Sequence, residues 1–105
     1  MCEPTKGDWK KFREKLPCWQ ERYMETLVKE HAAYLLGEEA ASTKFWTLDA
    51  RIKKDRRLPG VQLAAEKSSM VWDIALLIKD GVIGMEDLDD FKGELQEEVR
   101  RILGR

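Results

Sequence analysis

The chain has 105 residues, 43% hydrophobic and 37% charged, which suits one domain and is too short for two cores of ordinary size. Its 19 Lys and Arg nearly balance 20 Asp and Glu, so the formal net charge is −1 and a uniformly basic polyanion-binding domain is excluded. No run approaches the roughly 20 apolar residues that span a bilayer, and two cysteines with one histidine are too few for a four-ligand zinc site.

The chain is punctuated by stop signals at Leu16-Pro17, Gly37, Leu58-Pro59-Gly60 and Asp80-Gly81. Between them, apolar residues recur at three- and four-residue spacing, the period of amphipathic helices. A first helix is expected from Thr5 or Asp8 to just before Pro17, with Trp9, Phe12 and Leu16 on one face. Pro17 fits the first turn of a second helix, where its missing N–H is harmless. That helix is expected over Cys18–Leu36, ending at Gly37. Its stripe is Met24, Leu27, Val28, His31 and Leu35, flanked by the aromatic pair Trp19 and Tyr23.

Ser42 is the expected N-cap of a third helix. Phe45, Leu48 and Ile52 form a narrow apolar face there, with Trp46 about 100° away beside Lys53 and Arg57. After the Pro-Gly turn, Val61 and Leu63 alternate as in a strand, but Leu63, Lys67, Met70, Ile74 and Leu77 keep helical spacing, and helix is favoured. Met70 to Ile78 is apolar nearly all round, which places that helix at the centre of a bundle. Asp80-Gly81 ends it, with Val82 and Ile83 tucking back. Leu88, Phe91, Leu95, Val99 and Ile102 make the cleanest stripe, with Gly93 as a point of kinking or breaking. The expected fold is all-α: a compact single-domain bundle of four to five helices.

Charge is uneven along the chain. Residues 38–67 carry seven bases against five acids, whereas residues 69–105 carry nine acids against five bases. Asp80-Gly81-Val82-Ile83-Gly84-Met85-Glu86-Asp87 looks like the second half of a calcium loop. In that register Leu76 and Ile78 occupy the first and third ligand positions, so the site cannot close around a hard cation. His31 lacks a local nucleophile or carboxylate and reads as a boundary histidine bonded to a polar neighbour. Cys18 stands at an expected helix start, where the dipole would favour a thiolate, yet no Cys-His motif accompanies it and a small buried hydrophobe is the preferred reading. Ser42, Ser68 and Ser69 read as caps, and Glu86, Asp87, Asp89 and Asp90 as an exposed first turn. No catalytic residue, metal or cofactor is expected. The Met1-Cys2-Glu3-Pro4-Thr5 start lacks the pattern of a secretory signal, so a cytoplasmic protein with reduced thiols is expected.

Trp9-Lys10-Lys11-Phe12-Arg13-Glu14-Lys15-Leu16-Pro17, Pro59-Gly60-Val61, and Asp80-Gly81-Val82-Ile83 with Asp87-Leu88 together resemble a family of short helical proteins from anaerobic gut bacteria. Some of its members are labelled transporters, which does not suit a chain without an apolar span. The resemblance implies a bacterial cytosolic accessory protein and transfers no functional residues.

The function expected is non-enzymatic: binding a protein partner or a second copy of the chain. Four Trp in so short a chain point to an interface, and Trp19, Tyr23 and Trp46 are its candidate residues. The alternative is nucleic-acid contact through Lys44, Arg51, Lys53, Lys54 and Arg57, where bases adjoin the aromatic Trp46.

Overall fold

A computed structural model describes residues 5–104, which contain five α-helices and no strand. They are α1 (Lys6–Leu35), α2 (Ala41–Asp55), α3 (Pro59–Gln62), α4 (Met70–Lys79) and α5 (Gly93–Leu103). Single 3-10 turns at Lys67–Ser69 and Met85–Leu88 lead into α4 and towards α5.

The first correction is at Pro17, which does not separate two helices but lies inside a 30-residue α1. A mid-helix proline removes one backbone hydrogen bond and costs about 3 kcal/mol. Phe12 and Leu16 before it and Trp19 after it are all buried in one core, which offsets that cost. Pro17 and Arg13, whose carbonyl loses its partner, both lie exposed, so solvent can satisfy the orphan. At 1.5 Å per residue α1 is about 45 Å long, close to the 52 Å extent of the molecule.

Only the first half of α1 belongs to the core. Phe12, Leu16 and Trp19 pack on Met70, Val71, Ile74, Ala75 and Leu77 of α4, on Leu95 and Val99 of α5, and on Val82, Ile83, Leu88 and Phe91 between them. The second half of α1 buries no residue beyond Trp19, and α2 buries none at all. The molecule is therefore a helical body with an antiparallel two-helix arm. The all-α single-chain architecture matches the expectation; the arm does not appear in it.

Local chemistry explains the element ends. Thr5 Oγ1 accepts the Asp8 N–H at 3.0 Å and caps α1. Ala40, not Ser42, is the N-cap residue of α2, without a side-chain bond, and Ser42 lies within the first turn. Ser69 precedes α4, but its hydroxyl donates to the Asp73 carboxylate at 2.7 Å instead of capping the backbone. Gly81 ends α4 at φ 76, the left-handed conformation glycine adopts without cost. That turn lets the Val82 N–H reach the Leu77 carbonyl at 2.9 Å, and both Val82 and Ile83 fold back into the core as expected.

Residues 63–66 are not helical, and Leu63 and Glu66 at their two ends are extended. The Gln20 amide donates to the Leu63 carbonyl at 2.7 Å and to that of Pro59 at 3.3 Å, holding an acceptor that a continuing helix would use. The stripe from Leu88 to Ile102 is also broken, because α5 begins only at Gly93. There the buried Asp8 carboxylate, 84 positions away in sequence, accepts the Lys92 N–H at 3.1 Å and caps α5. Asp8→Ala is expected to cost about 2 kcal/mol, the loss of a charge-assisted bond to a part-buried donor, whereas Asp8→Asn, which keeps an acceptor, loses less. Urea unfolding of the two variants checks this.

α4 is not apolar-buried all round. Trp72 and Leu76 are exposed and, with Ala75, Lys79, Ile102 and Leu103, line a shallow groove between α4 and α5. The helix buries Met70, Val71, Ile74, Ala75 and Leu77 and leaves Trp72 and Leu76 at the surface.

Candidate interaction surface

The stripe that α1 turns inward runs Asp8, Phe12, Leu16, Trp19, then Tyr23, Leu27, His31 and Tyr34, at steps of three and four. Because α1 is continuous, Trp19 extends the body stripe rather than flanking a second one. This overturns its expected surface position: Trp19 is 5% exposed, with its ring centroid 6.3 Å from Phe12 and 6.4 Å from Phe91.

Tyr23 is half-buried at the junction of body and arm, its ring against Gly60, where a Cβ would fall 2.3 Å from Tyr23 Cδ2. Burial, followed by the carboxylates of Asp80, Asp55 and Glu30, raises the Tyr23 phenol above its ordinary value. The folded state thus holds its proton after the unfolded state has released it, so stability falls as pH rises past the ordinary tyrosine range. Tyr23→Phe is expected to remove that part of the alkaline decline, read from melting temperatures across pH 8–11.

Two contacts join the arm. His31 Nε2 lies 2.8 Å from Asp55 Oδ2, with both side chains half-buried, which supplies the polar neighbour expected for this histidine. The Arg51 guanidinium sits 4.2 Å above the Tyr34 ring. Tyr34 is next to the last residue of α1, whereas Arg51 is deep in α2, so the Phe45–Trp46 end of α2 reaches past the α1 terminus.

In α2 the half-buried Arg51 and Asp55 contact α1, and the half-buried Lys44 and Leu48 continue the same stripe towards the tip. The expected apolar faces of both helices are rotated away from this contact. Met24, Val28 and Leu35 each follow an inward residue of α1 by one, and Phe45 and Ile52 do the same in α2. In an antiparallel pair the helices wind in opposite senses when viewed along one axis. A step of about 100° beyond each contact position therefore points to the same side of the pair. All five residues are exposed, Val28 at 63% and Phe45 at 65%. One step after the remaining positions come Ala32, Asp49 and Arg56, so this side is mainly but not wholly apolar. One step before each position come Arg22, Thr26, Glu30 and Ala33, with Thr43, Thr47, Ala50 and Lys54, so the reverse side is mostly polar. Trp46, 66% exposed, stands edge-on to Phe45 at 5.0 Å along the margin of the apolar side.

The five basic candidates do not form one free patch. Arg51 is committed to Tyr34, Lys53 pairs with Asp49 at 2.9 Å, and Lys44 is half-buried, whereas Lys54 and Arg57 are exposed. Lys53, Arg56 and Arg57 line a shallow concavity at the base of the arm. Cys18 is exposed rather than buried, in the interior of α1, where the dipole of the first turn no longer acts. Cys2 falls outside the described residues. The calcium-loop look-alike is a corner in which the Asp87 carboxylate accepts the Gly84 N–H at 2.9 Å and pairs with Arg22 at 3.4 Å. Among the described residues no group of three or more His, Cys, Asp or Glu is placed to hold a metal, and no helix is long and apolar enough to cross a membrane.

No family model, curated protein or solved structure matches this chain.

Proposed function

We propose that this protein is a non-enzymatic interaction module and that the apolar side of its arm is the docking surface. One observation carries the reading: the arm turns Met24, Val28, Leu35, Phe45 and Ile52 to one side and mainly polar residues to the other, with no core beneath either. A chain that needed the arm only for its own stability would turn these residues onto the α1–α2 contact, where burial contributes about 25 cal/mol per Å². That contact is instead made by His31, Asp55, Tyr34 and Arg51. Contiguous exposed apolar side chains mark interaction sites, and Trp46 supplies the aromatic anchor common at such sites.

A photo-crosslinking residue placed at Phe45, with Thr43 on the polar side as control, tests the reading in cells. A discrete adduct from position 45 and none from 43 is the expected result. No adduct from 45, or equal adducts from both, overturns it. Nucleic-acid contact is the weaker alternative, because two of its five side chains are already engaged within the molecule. Fluorescence anisotropy with mixed-sequence duplex DNA is expected to show no binding at physiological salt.

A further inference from the structure

Resting on that reading, we infer that the occupant of the arm's apolar side is a second copy of this chain, packed antiparallel so that the tip of each arm covers the base of the other.

Charge decides the orientation. The tip between α1 and α2 carries Glu38 and Glu39, both exposed. The base carries the exposed Arg56 and Arg57 around one concavity, beside Lys53, which is paired with Asp49. A two-fold axis along the arm would set tip on tip and base on base, and like charges would repel at both ends. A two-fold axis across the arm sets each acidic tip on a basic base, so both ends attract.

Helix register agrees with this choice. An antiparallel α2 pair centred between Leu48 and Asp49 sets Phe45 opposite the partner's Ile52, and Ile52 opposite the partner's Phe45. Continuing the same register outward brings the Glu38–Glu39 turn towards the partner's Arg57. One alignment matches Phe45 with Ile52 and tip with base; Asp49, between Phe45 and Ile52 on the same face, is already paired with Lys53 at 2.9 Å.

Size sets the strength. Two helices about 10 Å wide and, over the 15 residues of α2, about 22 Å long present at most roughly 440 Å² per copy, less where α2 runs past the end of α1. Stable complexes bury about 800 Å² per partner, so the apolar side alone gives a weak dimer and the charged ends carry a large share of its stability. Association is therefore reversible, concentration-dependent and weakened by salt.

Sedimentation velocity of the whole chain across micromolar to millimolar concentration tests this, using Glu38→Lys/Glu39→Lys as a tip variant and Arg56→Glu/Arg57→Glu as a base variant. All four positions are exposed, and circular dichroism confirms that each variant is folded. The wild type is expected to move from 12.3 kDa towards twice that mass, less so in high salt. Each variant alone is expected to associate at least tenfold more weakly. An equimolar mixture of the two recovers association, because both ends of the mixed pair are again oppositely charged. A wild type that stays monomeric to millimolar concentration, variants that associate as the wild type does, or association strengthened by salt each overturn the inference. A monomeric wild type whose position 45 still crosslinks to another protein refutes the second copy and leaves the interaction reading standing. A monomer with no adduct refutes both.

Discussion

Phe12→Ala is expected to destabilise the protein by about 4 kcal/mol, the usual cost of emptying a fully buried phenylalanine site. Phe12 is 0% exposed and sits between Trp9 and Trp19, with ring centroids 6.3 Å from each. With Leu16 and Trp19 it is one of the three α1 residues in the core shared with α4 and α5. A domain near this size is stable by about 5–15 kcal/mol, and each kcal/mol moves its melting temperature by roughly 4–8 °C. The variant is therefore expected to melt about 16–30 °C lower, read by circular dichroism at 222 nm. The change also tests whether body packing holds α1 straight through Pro17. With the Phe12 contacts gone, the N-terminal segment before Pro17 is expected to lose amide-exchange protection first, ahead of α4 and α5. Uniform loss across all helices would show that the proline-containing helix is not held by that contact.

Gly60→Ala is expected to cost about 2 kcal/mol, within the range for overpacking a fitted site. The added Cβ would lie 2.3 Å from Tyr23 Cδ2, 2.7 Å from Cε2 and 2.9 Å from Cγ, and a ring cannot bend away as a flexible chain end can. Tyr23 must change rotamer or α3 must retreat, and either disturbs the base of the arm. A double-mutant cycle isolates the cause. Tyr23→Ala has its own cost, but adding Gly60→Ala to it is expected to cost little more, because the ring is already gone. Additive costs would show that the glycine matters for its backbone alone and that the close approach is not the reason.

Residues with a periodic local signature were legible in the sequence. Leu95 and Val99 form the buried face of α5 at the expected spacing, and Asp80-Gly81 stops α4 with Val82 and Ile83 returning to the core. Residues whose role depends on distant partners were not legible. Asp8 stands in the sequence only as a candidate helix start, yet its carboxylate accepts the N–H of Lys92, 84 positions away. Nothing local marks Gln20, yet its amide donates to the carbonyls of Pro59 and Leu63 at the two ends of α3. Trp19 was misplaced because a proline is locally a helix boundary, and only packing on both sides of it makes α1 continuous. Of the candidate surface, Trp46 and the Phe45–Ile52 side of α2 were visible as a stripe, but a stripe alone reads as core.

By itself the sequence determined the all-α class, the stop of α4 at Asp80-Gly81 and the apolar faces of the helices, because helix period and glycine geometry act within a few residues, whereas the starts of α4 and α5 were not determined by it. Only the tertiary structure decided which of those faces are buried. Once α1 runs unbroken through Pro17, its inner stripe takes Trp19 into the body and aligns Tyr23, Leu27, His31 and Tyr34 with α2. The angular offset between that stripe and Met24, Val28 and Leu35 then leaves the most apolar side of the arm facing outward. Helical spacing places residues on a common face; the rotation of each helix against its neighbours determines whether that face meets the core or solvent.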